Sequence, residues 1–137
     1  MANILLVDDY QPYRESLTGK LEGKGHRVVQ AQNPEKAREA FAREAFDLII
    51  LDNNLKVRPD GNDGIELAKE FKAAKPDVPL IMITGDKTPE VERLFAEAGG
   101  AACLSPMEKG FIYYTIDQLV GGIDEGGRDA NGSPRKR

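Results

Sequence analysis

With one cysteine in 137 residues, no disulfide can form within the chain, and Cys103 stands in an apolar run that reads as a buried small side chain without a redox role. Long hydrophobic runs are missing too. None approaches the roughly 18 residues that a membrane-spanning helix needs, so a soluble protein without a membrane partner is expected. Excess basic charge is missing: 19 Lys and Arg against 23 Asp and Glu leave a net charge of -4, and the one basic cluster is Arg135, Lys136 and Arg137 at the extreme end. Nucleic-acid backbones demand a basic stripe, so no direct nucleic-acid partner is expected. The opening MANILLVDD has no basic leader and runs into two aspartates, which argues against an export signal and for the cytoplasm.

What is present fits one domain of ordinary size. A hydrophobic share of 40% beside 31% charged residues lies in the globular range. Short apolar runs recur at 4–7, 28–29, 48–51, 80–83 and 101–104. Four are near-continuous, as strands are when helices cover both faces of a parallel sheet, and the run at Val28 is shorter, as at an edge. Helix signals fall between them. Asn33-Pro34 and Thr88-Pro89 each pair a cap with a first-turn proline, Pro12 opens a first helix, and Gly64 introduces Ile65, Ala68 and Phe71. The first helix would turn Tyr13, Leu17 and Leu21 inward, and the last Ile112, Ile116, Leu119 and Ile123. Five strand–helix alternations predict an α/β, doubly wound parallel sheet with five helices and strand order 2-1-3-4-5. The domain is expected over 1–123, with a flexible tail at 124–137 where glycine and charge dominate.

Ligands of such sheets bind beyond the carboxyl ends of the strands, where strand order reverses. The first strand ends in Asp8 and Asp9, the third in Asp52, the fourth in Thr84 and the fifth in Ser105 and Pro106. One such aspartate reads as a helix cap or a solvated loop residue. Three on adjacent central strands, with a hydroxyl on the next, read as an oxygen-only site for a hard cation such as Mg2+. A carboxylate beside that cation can act as nucleophile toward a phosphoryl group. Asp52 is the candidate nucleophile, since it stands alone after the most apolar strand, whereas Asp8 and Asp9 are paired as metal ligands would be.

The residues ILLVDD, LIILD ending at Asp52, DGIEL from Asp63, PLIMITG with Thr84, and AGGAACLSP, in this order and spacing, resemble the receiver domain of two-component response regulators in its single-domain, chemotaxis (CheY-like, flavodoxin-like) form. The resemblance spans about residues 3 to 123. It implies that Asp52 accepts a phosphoryl group from a histidine kinase or phosphotransfer protein. It further implies that Asp8, Asp9, Asp52 and the backbone carbonyl of Asn54 hold Mg2+, and that Thr84 contacts the phosphoryl group. Signalling would then proceed by altered binding to a downstream protein, from a monomer or weak dimer, with no enzymatic activity beyond the domain's own phosphotransfer and dephosphorylation.

The chain departs from that family in two places. The lysine expected before a proline after the fifth strand is replaced by Ser105 or Pro106, and the aromatic switch residue by Cys103. Lys87 and Lys109 in neighbouring loops are the candidate substitute cations. The segment DNNLKVRPDGND from Asp52 to Asp63 is about four residues longer than the family norm and offers Lys56 and Arg58 to the pocket or a partner. Two altered positions raise a second expectation, a phosphorylation-independent scaffold for protein interactions. A flavin protein is disfavoured because DDYQP would repel a phosphate, and an aspartyl phosphatase because Asn54 stands where a second acid is needed. His26, remote from the pocket, is expected to have a surface role, and Tyr113 and Tyr114 on the last helix to mark a contact surface.

Overall fold

The computed structural model describes residues 1–121. The expected tail at 124–137 and the inward Ile123 lie outside the described residues. Strands β1 (Asn3–Val7), β2 (Arg27–Ala31), β3 (Leu48–Leu51), β4 (Leu80–Ile83) and β5 (Ala102–Leu104) alternate with helices α1 (Gln11–Gly23), α2 (Pro34–Arg43), α3 (Asp63–Ala74), α4 (Pro89–Glu97) and α5 (Lys109–Val120). All strand pairs are parallel, in the order β2-β1-β3-β4-β5, as the alternation predicted. Among the described residues no helix is long and apolar enough to cross a membrane.

The apolar runs are continuous because each face of the sheet has its own core. Leu5, Val7, Ile49, Leu51, Leu80 and Met82 pack with α2, α3 and α4 through Ala37, Ala40, Ile65, Phe71 and Phe95. The alternate residues Ile4, Leu6, Leu48, Ile50, Ile81 and Ile83 pack with α1 and α5 through Leu17, Leu21, Ile112 and Ile116. Each such side chain contributes roughly 1.5–3 kcal/mol by leaving water, so strands with two buried faces hold the central sheet rigid. Tyr13 and Leu119, expected inward, are half-buried at the margin of the second core.

The helix starts follow the predicted chemistry. The Asn33 side chain accepts from the Lys36 amide at 2.8 Å, and the Thr88 hydroxyl accepts from the Val91 amide at 3.1 Å, each ahead of a first-turn proline. At the opposite end of the sheet from the strand-end acids, His26 Nδ1 accepts from the Ala2 amide at 3.2 Å, and Asp47 accepts from Asn3 at 2.8 Å.

Candidate functional site

Register places the acids. Val7 is level with Leu51, and Leu51 with Met82, so Asp8 and Asp52 leave neighbouring strands side by side while Thr84 follows one strand over. The Asp52 amide donates to the Val7 carbonyl at 2.8 Å and the Asp8 amide to the Ala31 carbonyl at 3.1 Å, so the ladder holds both residues just past the strand ends. Asp8, Asp9 and Asp52 each offer one carboxylate oxygen within 4.8 Å of the others. Asp8 is buried, and Asp9 and Asp52 are half-buried.

Such crowding is electrostatically costly without a counter-charge. Burial, and secondarily the neighbouring Asp8 carboxylate, pushes Asp52 up to about 7, against the pull of hydrogen bonds from the Thr84 hydroxyl and the Asn53 amide. Asp8 is likewise raised, chiefly by burial, although the Tyr10 amide donates to its Oδ1 at 2.8 Å. Burial and the Asp8 charge push the Tyr13 hydroxyl to about 12. An all-oxygen set that resists carrying its own charge fits a hard divalent ion such as Mg2+, because the ion removes the penalty that raises these acids.

Arg14 supports Asp8 from behind: its Nη1 donates to the Asp8 carbonyl at 2.9 Å and its Nε to Gln30 at 3.0 Å. The composition of α1 carried no sign of this, because an arginine on a helix is usually solvated, and only the fold shows it to be buried.

The loop between β3 and α3 is tied down by hydrogen bonds. Asp63, buried at the first turn of α3, accepts from the amides of Leu55 at 2.9 Å, Val57 at 3.2 Å and Arg58 at 3.0 Å. Asn53, also buried, accepts from the Ile65 amide at 3.2 Å and donates to Asn62 at 3.0 Å. The Asn54 side chain accepts from the Lys56 amide at 2.9 Å, and Lys56 has a left-handed backbone, φ 63°. From there the Lys56 ammonium reaches Asp9 Oδ2 at 3.6 Å. Arg58 turns instead to Asp60, at 2.9 Å. Sequence reasoning took Asp63 only as the start of a helix motif. An acid following Asn-rich loop residues was the available signal for a loop hub.

At the other side of the site, Ser105 and Pro106 bring no cation. The Lys87 ammonium is bound to Glu108 at 2.8 Å, and the same Glu108 oxygen accepts the Ser105 amide at 3.0 Å. Lys87 thus joins the β4–α4 loop to the β5–α5 loop. Lys109 lines a cavity of about 20 Å³ between α1 and α5, with Tyr13, Lys20 and Tyr113. Cys103 is half-buried beside the α4 core residues, and burial pushes its thiol to about 11.

A sequence model described as the response regulator receiver domain matches residues 4–109. The sensory/regulatory protein RpfC of Xanthomonas campestris pv. campestris is 28% identical over 106 residues, covering 74% of this chain and 14% of that protein. The KDP operon transcriptional regulatory protein KdpE of Escherichia coli is 37% identical over 101 residues, covering 74% of this chain and 42% of that protein. The chain therefore matches less than half the length of either relative. Among solved structures, a two-component response regulator from Clostridium difficile superposes with a TM-score of 0.79 at 23% identity, covering 91% of this chain and 100% of that one. The non-phosphorylated HemR receiver domain from Leptospira biflexa gives 0.77 at 28% identity, covering 87% and 94%.

Proposed function

The chain belongs to the response regulator receiver domain family, and on that premise we propose that it is a phosphoacceptor of a two-component phosphorelay in the cytoplasm. Response regulators interact with histidine kinases or phosphotransfer proteins. Here Asp52 receives the phosphoryl group from a phosphohistidine on such a donor, and the result is a changed affinity for a downstream protein. The observation that carries this reading is the convergence of Asp8, Asp9 and Asp52 within 4.8 Å, with Thr84 leaving the next strand beside them.

In the transfer, an Asp52 carboxylate oxygen attacks phosphorus, the phosphorus–nitrogen bond breaks, and the electron pair returns to the imidazole nitrogen. Asp52 is left as an acyl phosphate. Asp8, Asp9, Asp52 and the Asn54 backbone carbonyl would hold Mg2+, which supplies the positive charge that lets phosphoryl oxygens and carboxylates share one pocket. Thr84 then turns its hydroxyl to a phosphoryl oxygen. The Asp86 amide donates to the Thr84 hydroxyl oxygen at 3.1 Å, so a shift of Thr84 pulls the loop that carries Lys87, and with it the Lys87–Glu108 link to the next loop.

The second reading, a scaffold that binds partners without phosphorylation, draws support from Ser105 and Pro106 at the lysine position and from the half-buried Cys103 at the switch position. Amide NMR spectra with Mg2+ and beryllofluoride separate the two. The phosphoacceptor shifts amides around Asp52, Thr84 and Lys87; a scaffold leaves them in place.

A further inference from the structure

A phosphoryl group on Asp52 replaces one of the pocket's three carboxylate charges with about two phosphoryl charges, beside those of Asp8 and Asp9. A divalent ion offsets part of that charge, and a side-chain cation must meet the rest. Lys109 lines the cavity between α1 and α5; of the four other cations named around the site among the described residues, three are committed. Arg14 is buried and bonded to the Asp8 carbonyl and Gln30, Arg58 to Asp60, and Lys87 to Glu108.

The fourth is Lys56. Its ammonium lies 3.6 Å from Asp9 Oδ2, with the side chain 75% exposed. An exposed pair at that distance holds weakly, so the ammonium can leave Asp9 for richer negative charge at small cost. Its root, by contrast, is fixed. The amides of Leu55 and Val57, on either side, both donate to Asp63, the Lys56 amide donates to Asn54, and Leu55 is buried as an anchor. A solvated surface lysine needs no left-handed backbone, φ 63°, nor a buried acid to pin its neighbours. This loop keeps a mobile cation over a fixed point beside the acids.

We propose that Lys56 is the cation that binds the phosphoryl group arriving at Asp52. The assignment rests on the phosphoacceptor reading above and gives the longer β3–α3 loop its purpose: the positive charge comes from the β3 side of the pocket instead of the β5 side.

The test compares wild type with Lys56→Asn, which removes the charge and tolerates a left-handed backbone, and with Lys56→Arg, which restores the charge. Phosphorylation by acetyl phosphate is followed by intact mass, and Mg2+ affinity by calorimetry. We expect Lys56→Asn to slow phosphorylation roughly tenfold or more, the loss of one charged hydrogen bond, and Lys56→Arg to recover most of that rate. Mg2+ should bind the Asn variant as tightly as wild type or more tightly, because a competing positive charge has gone. Three results overturn the proposal while leaving the function intact: an unchanged rate in Lys56→Asn, loss of Mg2+ binding in that variant, or a comparable loss in Lys87→Asn instead. A wild type that takes up no phosphate overturns both.

Discussion

The backbone of Gly64 lies directly against that of Asp52: a Cβ added at Gly64 would meet the Asp52 carbonyl oxygen at 2.3 Å and the Asn53 Cα at 2.9 Å. Helix α3 can thus start beneath the end of β3 only with glycine there, and the Gly64 amide donates to the Asn53 carbonyl at 2.8 Å to lock the approach. Gly64→Ala is expected to cost about 1–3 kcal/mol of stability, as overpacking does, and to displace Asp52. Urea denaturation checks the first effect and Mg2+ affinity the second. A variant with wild-type values of both would show that the loop yields freely.

Asp63 is the second support of the site. Asp63→Ala leaves three amides without their acceptor, which is expected to destabilise by roughly 1–3 kcal/mol, since only the Leu55 amide is fully buried and water can reach the other two. Limited proteolysis should then cut between residues 55 and 61 well before it cuts elsewhere. Uncut loops at equal protease would contradict the role given to Asp63.

Asp52 carries a pH dependence in the metal-free protein. Its folded-state value is raised from 3.8 to about 7, so its contribution to stability is full below about 4 and is lost as pH rises through about 7. At about pH 8, with a chelator present, Asp52→Asn should be more stable than wild type by ~1–3 kcal/mol, a figure reduced for the residual solvent contact of the carboxylate. Mg2+ should narrow that gap by stabilising wild type. Chemical denaturation with chelator and with Mg2+ measures both, and an Asn variant less stable than wild type under chelation would refute it.

His26 gives the opposite sign. Burial, with help from the N-terminal ammonium, lowers its value below 6.5, and its Nδ1 accepts the Ala2 amide only when unprotonated. Its contribution is full above about 6.5 and is lost as pH falls below that. Thermal melts of wild type should therefore fall between about pH 7 and pH 5 by more than those of His26→Gln. Parallel curves would leave the histidine without that role.

Much of this was legible in the residues themselves. The near-continuous runs ending in Val7, Leu51 and Ile83 read as strands buried on both faces, and the acids and hydroxyl that follow each run mark one edge of a parallel sheet. Asn33-Pro34 and Thr88-Pro89 announced their helices because capping is local chemistry. The support of the site was not legible, for the opposite reason. Arg14 acts through partners that only tertiary structure brings near, and a buried arginine has the same sequence appearance as a solvated one; Asp63 pins its own loop, and its signal, an acid after Asn-rich residues, was weak. Lys56 and Arg58 are both loop cations, and they part because Asp60 stands two residues from Arg58 and takes it up locally, while Lys56 reaches Asp9 across the fold.

The central claim is that Asp52 accepts a phosphoryl group with the help of a divalent ion held by its neighbours. Intact mass and peptide mapping after incubation with acetyl phosphate and Mg2+ test it most directly. One phosphoryl group on the peptide containing Asp52, lost with a chelator and in Asp52→Asn, is the predicted result. An unchanged mass in the presence of Mg2+, or a phosphoryl group that persists in Asp52→Asn, would contradict it.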